Sequence, residues 1–262
     1  MSQLNDRSVI VTGGATLIGA AVAEAFVEAA SDLTVIAIDA AAGAAMADRL
    51  GVKAQFIAAD ITDDEQLTAA INSAETRFGG VDYLINLACS YLDEGQASSR
   101  ADWLTALDIN VVSAVMAANI ARPLMVKRGG GAIVNFSSIS SQIAQTGRWL
   151  YPVSKAAIRH LTRSMAMDFA EDGIRVNSVS PGWTWSRVIN EVSGGNRAKA
   201  DQVAADFHML GRLGDPQEVA AVVLFLCSPQ ASFVTAADYA VDGGYSAIGP
   251  EQRVPAIPKL AE

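Results

Sequence analysis

Apolar and polar positions along this chain follow two alternating rhythms. Short apolar, β-branched runs occur at residues 8–12, 33–39, 54–60, 83–87, 132–137, 175–180 and 238–241. Between most of them, apolar residues recur at helical spacing, over 18–30, 41–50, 64–78, 101–127, 151–171 and 216–226. Strands that alternate with amphipathic helices predict βαβ units and a parallel sheet covered on both faces. Runs such as VIVT and IVNF, apolar almost throughout, fit strands buried on both sides. The pattern therefore predicts an α/β fold: a doubly wound domain around a seven-stranded, mostly parallel sheet.

Local signals set the boundaries. Asp63 is a plausible helix N-cap, and Gly79-Gly80 ends the helix it starts. Arg128-Gly129-Gly130-Gly131 stops the long fourth helix. Gly214-Asp215-Pro216 opens the last one, with Asp as cap and Pro at the first position. No composition shift or repeat divides the chain, so one domain is expected over residues 1–249. An irregular tail with Pro250, Pro255 and Pro258 follows over 250–262.

Composition narrows the function classes. Of 262 residues, 51% are hydrophobic and 18% charged, which suits a large buried core. A net charge of -9 argues against nucleic acid and against an anionic membrane surface as partners. The opening MSQLNDR is polar, so no secretory leader is expected, and no apolar segment is expected to reach membrane-spanning length without interruption. Cys89 and Cys227 lie far apart without metal-ligand spacing, which fits a reducing, cytoplasmic setting. With His160 and His208 as its two histidines, the chain is poorly supplied for a metal site, and none is expected.

The candidate chemistry begins at TGGATLIG, residues 12–19, between a strand and a helix. Ligands of parallel α/β sheets bind beyond the carboxyl ends of the strands. Glycines permit a tight turn there, and free N–H groups at a helix start suit a pyrophosphate. Gly13 makes the turn, Gly19 permits helix packing, and Thr16, Leu17 and Ile18 line the loop. About 20 residues on, Asp39 ends the second strand, where a carboxylate accepts ribose hydroxyls. It is equally an N-cap for the helix that follows, and the two roles are compatible. Ala40 and Ala41 follow it, and Ala15 and Thr16 sit in the loop, so no arginine or lysine awaits a 2′-phosphate. NAD is therefore expected over NADP. Asp60 ends the third strand, with Ile61 beside it, and either meets adenine or caps a turn.

The second half carries acid–base chemistry. Ser138 ends the fifth strand, and thirteen residues later Tyr151-Pro152-Val153-Ser154-Lys155 opens a helix. At i and i+4, Tyr151 and Lys155 share a helix face. A tyrosine near pKa 10 is a poor base at neutral pH. A neighbouring ammonium favours the phenolate and is expected to lower that value. Such a tyrosine exchanges a proton with an alcohol, while a serine hydroxyl holds the substrate oxygen.

Taken together, these motifs resemble the short-chain dehydrogenase/reductase family over roughly residues 6–245. They are TGGATLIG, Asp60, NLAC at 86–89, Asn110 in DINVV, Ser138, YPVSK, NSVSPG at 177–182 and VDGG at 241–244. The resemblance implies a Rossmann-like fold, NAD as cofactor and a small-molecule alcohol or ketone as substrate. It implies that Asn110 kinks the fourth helix and helps hold a relay water, and that Ser138 orients substrate. Tyr151 is then the acid/base, and Lys155 lowers its pKa and grips the nicotinamide ribose. Asn86, Ala88, Pro181, Gly182 and Thr184 are the remaining cofactor contacts it implies, with Ser186 in place of a threonine that often meets the pyrophosphate. It also implies a homotetramer or homodimer built on the long fourth and fifth helices.

Two departures stand out. Leu17 replaces the middle glycine of the family loop, and NNAG reads Asn86-Leu87-Ala88-Cys89. They motivate an alternative on the same fold, a regulatory or structural protein whose chemistry has lapsed. Substrate contacts are expected from the segments 90–98, 140–150 and 183–210, with Ser140, Arg148, Trp183 and His208 as candidates and Tyr91 nearby. Residues 193–202, SGGNRAKADQ, form either a mobile lid or an ordinary exposed turn and helix.

Overall fold

The computed structural model describes residues 4–250 and 254–261. Seven strands form one sheet: β1 Ser8–Thr12, β2 Asp32–Ala37, β3 Ala54–Ala58, β4 Tyr83–Asn86, β5 Gly131–Phe136, β6 Ile174–Pro181 and β7 Asp238–Val241. Their order is β3-β2-β1-β4-β5-β6-β7. All neighbouring strands pair in parallel, so the expected mostly parallel sheet is parallel throughout among the described residues. The helices are α1 Leu17–Glu28, α2 Ala40–Leu50, α3 Asp64–Phe78, α4 Arg100–Leu107, α5 Ser113–Lys127, α6 Leu150–Phe169, α7 Arg187–Val192, α8 Arg197–Ala204 and α9 Pro216–Cys227.

Alternation along the strands produces two cores. Val9 and Val11 of β1 and Leu33 and Val35 of β2 face Val22 and Phe26 of α1 and Val223 of α9. Ile10 and Ile36 point the other way, toward Leu67 and Ile71 of α3, Ala117 and Ala121 of α5, and Met165 and Phe169 of α6. Side chains with a period of two on a sheet covered on both faces give this result. Deleting one of these buried side chains, for example Phe26→Ala, costs about 3–5 kcal/mol by general experience with such cores.

Strand order reverses between β1 and β4, which places a crevice at their carboxyl ends. Most of the candidate residues sit along this edge. β2 and β5 stop earlier than the apolar runs suggested, at Ala37 and Phe136. Asp39 and Ser138 are therefore loop residues, each two positions beyond its strand.

The single helix expected over 101–127 is interrupted. Asp108–Val112 forms a π-turn between α4 and α5, and Asn110 sits inside it. Such bulges cluster at functional sites. The stretch Arg100–Lys127 is, by length and composition alone, long and apolar enough to cross a membrane, contrary to the sequence expectation. Its residues Ala117, Ala118, Ala121, Leu124 and Met125 are packed into the core beneath the sheet. In the tail expected over 250–262, Ile257–Ala261 forms a 3₁₀ turn, and residues 251–253 and 262 lie outside the described residues.

Candidate active site

The glycine loop is built as its sequence requires. Gly13 has φ +71°, and a Cβ there would lie 2.6 Å from Ala88 Cα. The loop after β1 thus presses on the loop after β4, at the point of strand reversal. A Cβ on Gly19 would lie 2.5 Å from the Gly13 carbonyl oxygen, so that glycine lets α1 close on the loop. Thr16 is the N-cap: its hydroxyl accepts from Gly19 N–H at 3.1 Å and donates to Gly13 O at 3.2 Å. Leu17 is the first residue of α1 and is half exposed. Ile18 follows in the same turn.

Beside this loop, Asp39 caps α2 by accepting Ala42 N–H at 3.0 Å, and its residue is exposed. Asp60 accepts from Thr62 N–H and Oγ at 2.9 and 2.8 Å, so the turn-capping reading holds in this conformation. Ile61 is half-buried next to it. Asn86 donates to Asn135 Oδ1 at 2.9 Å, and Asn135 donates to Thr162 at 3.0 Å. Thr12 Oγ accepts from Leu87 and Ala88 N–H at 3.2 and 3.3 Å. The strand ends of NLAC are therefore held without a second asparagine. Farther along the edge, Pro181 ends β6. A Cβ on Gly182 would meet Asp242 Cα at 2.8 Å. The buried Thr184 donates to Gly182 O at 3.4 Å.

The catalytic candidates converge. Tyr151, Ser138, Lys155 and Asn110 are all buried. Lys155 Nζ donates to Phe136 O at 2.9 Å and lies 5.4 Å from the Tyr151 ring centroid. The Ser138 hydroxyl favours ionisation of the Tyr151 phenol. It also accepts from Ser140 N–H at 3.2 Å. Asn110 Nδ2 donates to Ser90 O and Ser154 Oγ, both at 3.0 Å, and its Oδ1 accepts from Ser90 N–H at 2.6 Å. The π-turn thus locks onto both the β4 loop and α6. A cavity of about 10 Å³ between Asn110, Lys155, Thr12 and Phe136 approaches the space of a single water.

The expected lowering of the tyrosine pKa is only part of the balance. Burial is the largest influence and raises the Tyr151 phenol above its ordinary value, while the Lys155 ammonium, the Ser138 hydroxyl and Arg148 oppose it. Desolvation penalises the charged form, and this chain's own cation does not fully offset it.

The segment after β4 supplies contacts that were not predicted. The Tyr91 ring stacks on Tyr151, with centroids 5.2 Å apart and planes inclined by 19°. The Cys89 neighbour, burial and Tyr151 all raise its phenol. Asp93, absent from the predicted set, accepts backbone N–H groups from Trp149, Leu150 and Tyr151 at 2.9, 3.2 and 3.1 Å. Its sequence signal was indirect: no residue of capping type directly precedes α6.

The substrate candidates divide. Arg148 lies with its guanidinium carbon 4.9 Å from the Tyr151 ring centroid. Ser140 donates to Gln145 at 2.7 Å. Trp183 sits in an aromatic group with Phe207, His208 and Tyr245, at centroid distances of 5.3, 6.0 and 6.4 Å. His208 is buried with both ring nitrogens on backbone, Nδ1 at 2.9 Å from Ala204 O and Nε2 accepting from Trp183 N–H at 3.3 Å. It braces the Trp183 loop. Residues 193–202 form a turn and the start of α8, tied down by Arg197 to Asp201 and Asp215 at 3.0 and 2.7 Å. Among the described residues, no group of three or more His, Cys, Asp or Glu is arranged to hold a metal.

A family model described as "Enoyl-(Acyl carrier protein) reductase" matches residues 13–246. The chain belongs to the short-chain dehydrogenase/reductase family. Among its short-chain dehydrogenase/reductase relatives, 2-(S)-hydroxypropyl-CoM dehydrogenase 3 of Xanthobacter autotrophicus is 34% identical over 94% of this chain and 99% of that protein. Galactitol 2-dehydrogenase (L-tagatose-forming) of Cereibacter sphaeroides is 36% identical over 93% of this chain and 96% of its own. A solved 7α-hydroxysteroid dehydrogenase, complexed with NADH and 7-oxo glycochenodeoxycholic acid, superposes with a TM-score of 0.86 at 33% identity, over 92% of this chain and 95% of that one.

Proposed function

We propose that this protein is an NAD-dependent oxidoreductase that interconverts a secondary alcohol, such as a ring alcohol, polyol or sugar hydroxyl, and the corresponding ketone. The observation that carries this reading is the buried convergence of Ser138, Tyr151 and Lys155 next to the glycine loop. The loop suits a dinucleotide on its own geometry. Gly13 has a positive φ, side chains are excluded at both Gly13 and Gly19, and the start of α1 presents N–H groups.

On this reading Gly13, Thr16, Leu17 and Ile18 hold the pyrophosphate, and Asp39 the adenosine ribose. Asp60, Ile61, Asn86 and Ala88 line the middle of the cofactor. Pro181, Gly182 and Thr184, with Tyr151 and Lys155, border its nicotinamide end. The bound nicotinamide supplies the hydride exchange. Ser138 holds the substrate oxygen so that its proton faces Tyr151. Tyr151 takes that proton in oxidation and returns it in reduction. Lys155, held in place by the Phe136 carbonyl, stabilises the phenolate while the proton is away. Because burial favours the neutral phenol, the site is set to donate until positive charge accumulates beside it.

Arg148, Ser140 and Trp183 border the substrate on this reading, and Tyr91 forms a wall against the tyrosine ring. Leu104, Val112 and Val126 on the α4–α5 stretch, and Val153 and Met167 on α6, are exposed apolar residues that support a homotetramer or homodimer.

The test is a panel of secondary alcohols, sugars and ketones followed at the NADH absorbance, with NADP in parallel. The expected result is turnover preferring NAD. Binding of NAD without turnover on any member would favour the lapsed, regulatory alternative.

A further inference from the structure

Helix α6 carries Tyr151 in its first turn, yet it opens without a cap of its own. Trp149 at the cap position makes no side-chain cap bond, and the first turn has no acidic residue. The first N–H groups of a helix lack intrahelical partners and must be satisfied otherwise when buried. Each one here has a definite fate. Pro152 has no N–H, and Val153 N–H bonds to Trp149 O at 3.2 Å. The remaining three, of Trp149, Leu150 and Tyr151, all donate to one carboxylate 56 to 58 residues earlier.

That carboxylate belongs to Asp93, whose side chain is 2% exposed. Its Oδ1 takes Trp149 and Leu150, and also Gly95 at 3.1 Å; its Oδ2 takes Tyr151 and lies 3.6 Å from Arg148 Nε. Arg148 in turn lies over the Tyr151 ring. The two loops are in close register: a Cβ on Gly95 would lie 2.8 Å from the Gly147 carbonyl. Tyr91 and Asp93, spaced two apart, meet the catalytic tyrosine's ring and the start of its helix.

We propose that Asp93 is a positioning residue for Tyr151: it caps the catalytic helix from a distant loop and fixes the turn that presents the phenol. The proposal rests on Tyr151 being the acid/base of the proposed reaction. A negative group at a helix N-terminus is also favoured by the helix dipole. Burial alone would raise the Asp93 carboxyl, but its N–H bonds outweigh burial and hold it below the usual carboxylate range. It therefore accepts from these N–H groups as an anion at neutral pH.

The experiment compares Asp93→Ala, Asp93→Asn and Asp63→Ala with the parent protein. Asp63 caps α3 by accepting Glu65 and Gln66 N–H, so its loss removes a comparable cap away from Tyr151. Hydrogen exchange of the peptide spanning residues 149–153 is read without any substrate. It should quicken in both Asp93 variants and stay unchanged in Asp63→Ala. Turnover should fall about 10- to 100-fold in Asp93→Ala, the scale of a small misplacement of a catalytic group, while the NAD-induced rise in Tm persists. Asp93→Asn should also lose turnover while keeping more of its Tm. Its Oδ1 keeps three donors, but its NH₂ faces the Tyr151 N–H. Asp63→Ala should lose Tm but keep kcat. Unchanged exchange at 149–153, or kcat within about twofold of the parent in Asp93→Ala, would overturn the proposal. So would an equal loss of kcat in Asp63→Ala. Parent-like turnover in Tyr151→Phe would instead reject the acid/base reading beneath it.

Discussion

The nucleotide side and the catalytic side of this crevice are assembled by opposite strategies. On the nucleotide side each helix start is capped by its own neighbour: Thr16 bonds to Gly19, and Asp39 to Ala42. On the catalytic side Asn110 reaches Ser90 and Ser154, Lys155 reaches Phe136, and Asp93 reaches the first turn of α6. Local caps leave their polar groups near solvent, open to a charged ligand. Long-range ties bury the groups they position, and that burial sets the protonation of Tyr151. The first arrangement suits binding, and the second suits proton transfer.

Substitutions break this comparison to different degrees. On the nucleotide side the largest effect is expected for Gly13→Ala, which forces φ +71° on a residue with a Cβ 2.6 Å from Ala88 Cα. Strain of this kind costs about 1–3 kcal/mol, so both Tm and NAD affinity should drop. Titration calorimetry that found parent-like NAD affinity would show that the two loops need not meet closely.

Lys155→Met tests the catalytic side. Removing the cation raises the Tyr151 pKa further, so the rise of alcohol oxidation with pH should move to higher pH, and kcat at neutral pH should fall. An unmoved profile would mean that Lys155 has no electrostatic hold on the phenol.

Asp39→Ala removes a cap worth about 0.5–2 kcal/mol and, on the proposed reading, the ribose acceptor. NAD should bind more weakly and the preference over NADP should narrow. A loss of Tm with unchanged preference would leave Asp39 as a cap alone.

Leu17→Gly should matter least. Leu17 occupies the first helical position with its side chain half exposed, so the expected changes are a slight loss of stability, about 0.5–1 kcal/mol, and a modest shift in NAD affinity. Identical NAD affinity would make Leu17 a neutral replacement for the glycine of the family loop.

The same contrast explains what could be read from the chain alone. The glycine loop, the caps at Asp39 and Asp63 and the Tyr151–Lys155 pair lie within a few residues of their partners, so spacing reveals them. The doubly wound sheet was legible too, because its strands and helices have distinct periods. The π-turn at Asp108–Val112 showed only through the family resemblance, which implied a kink at Asn110, since its apolar spacing continues that of the flanking helices. Asp93 and Tyr91 were missed as partners of Tyr151 because they act across about 60 residues of sequence through loops without periodicity. Tyr151 itself was located by spacing, but its pKa direction depended on burial that no local pattern reports.

On the proposed reading, Tyr151 moves the proton at a site that binds NAD independently of it. The direct measurement pairs NADH formation with NAD-induced thermal stabilisation, for the parent and Tyr151→Phe, on the best substrate of the panel. Tyr151→Phe is expected to lose about 10²- to 10⁴-fold in turnover, the usual worth of a positioned acid/base, and still to gain Tm with NAD. Parent-like turnover in that variant would contradict it.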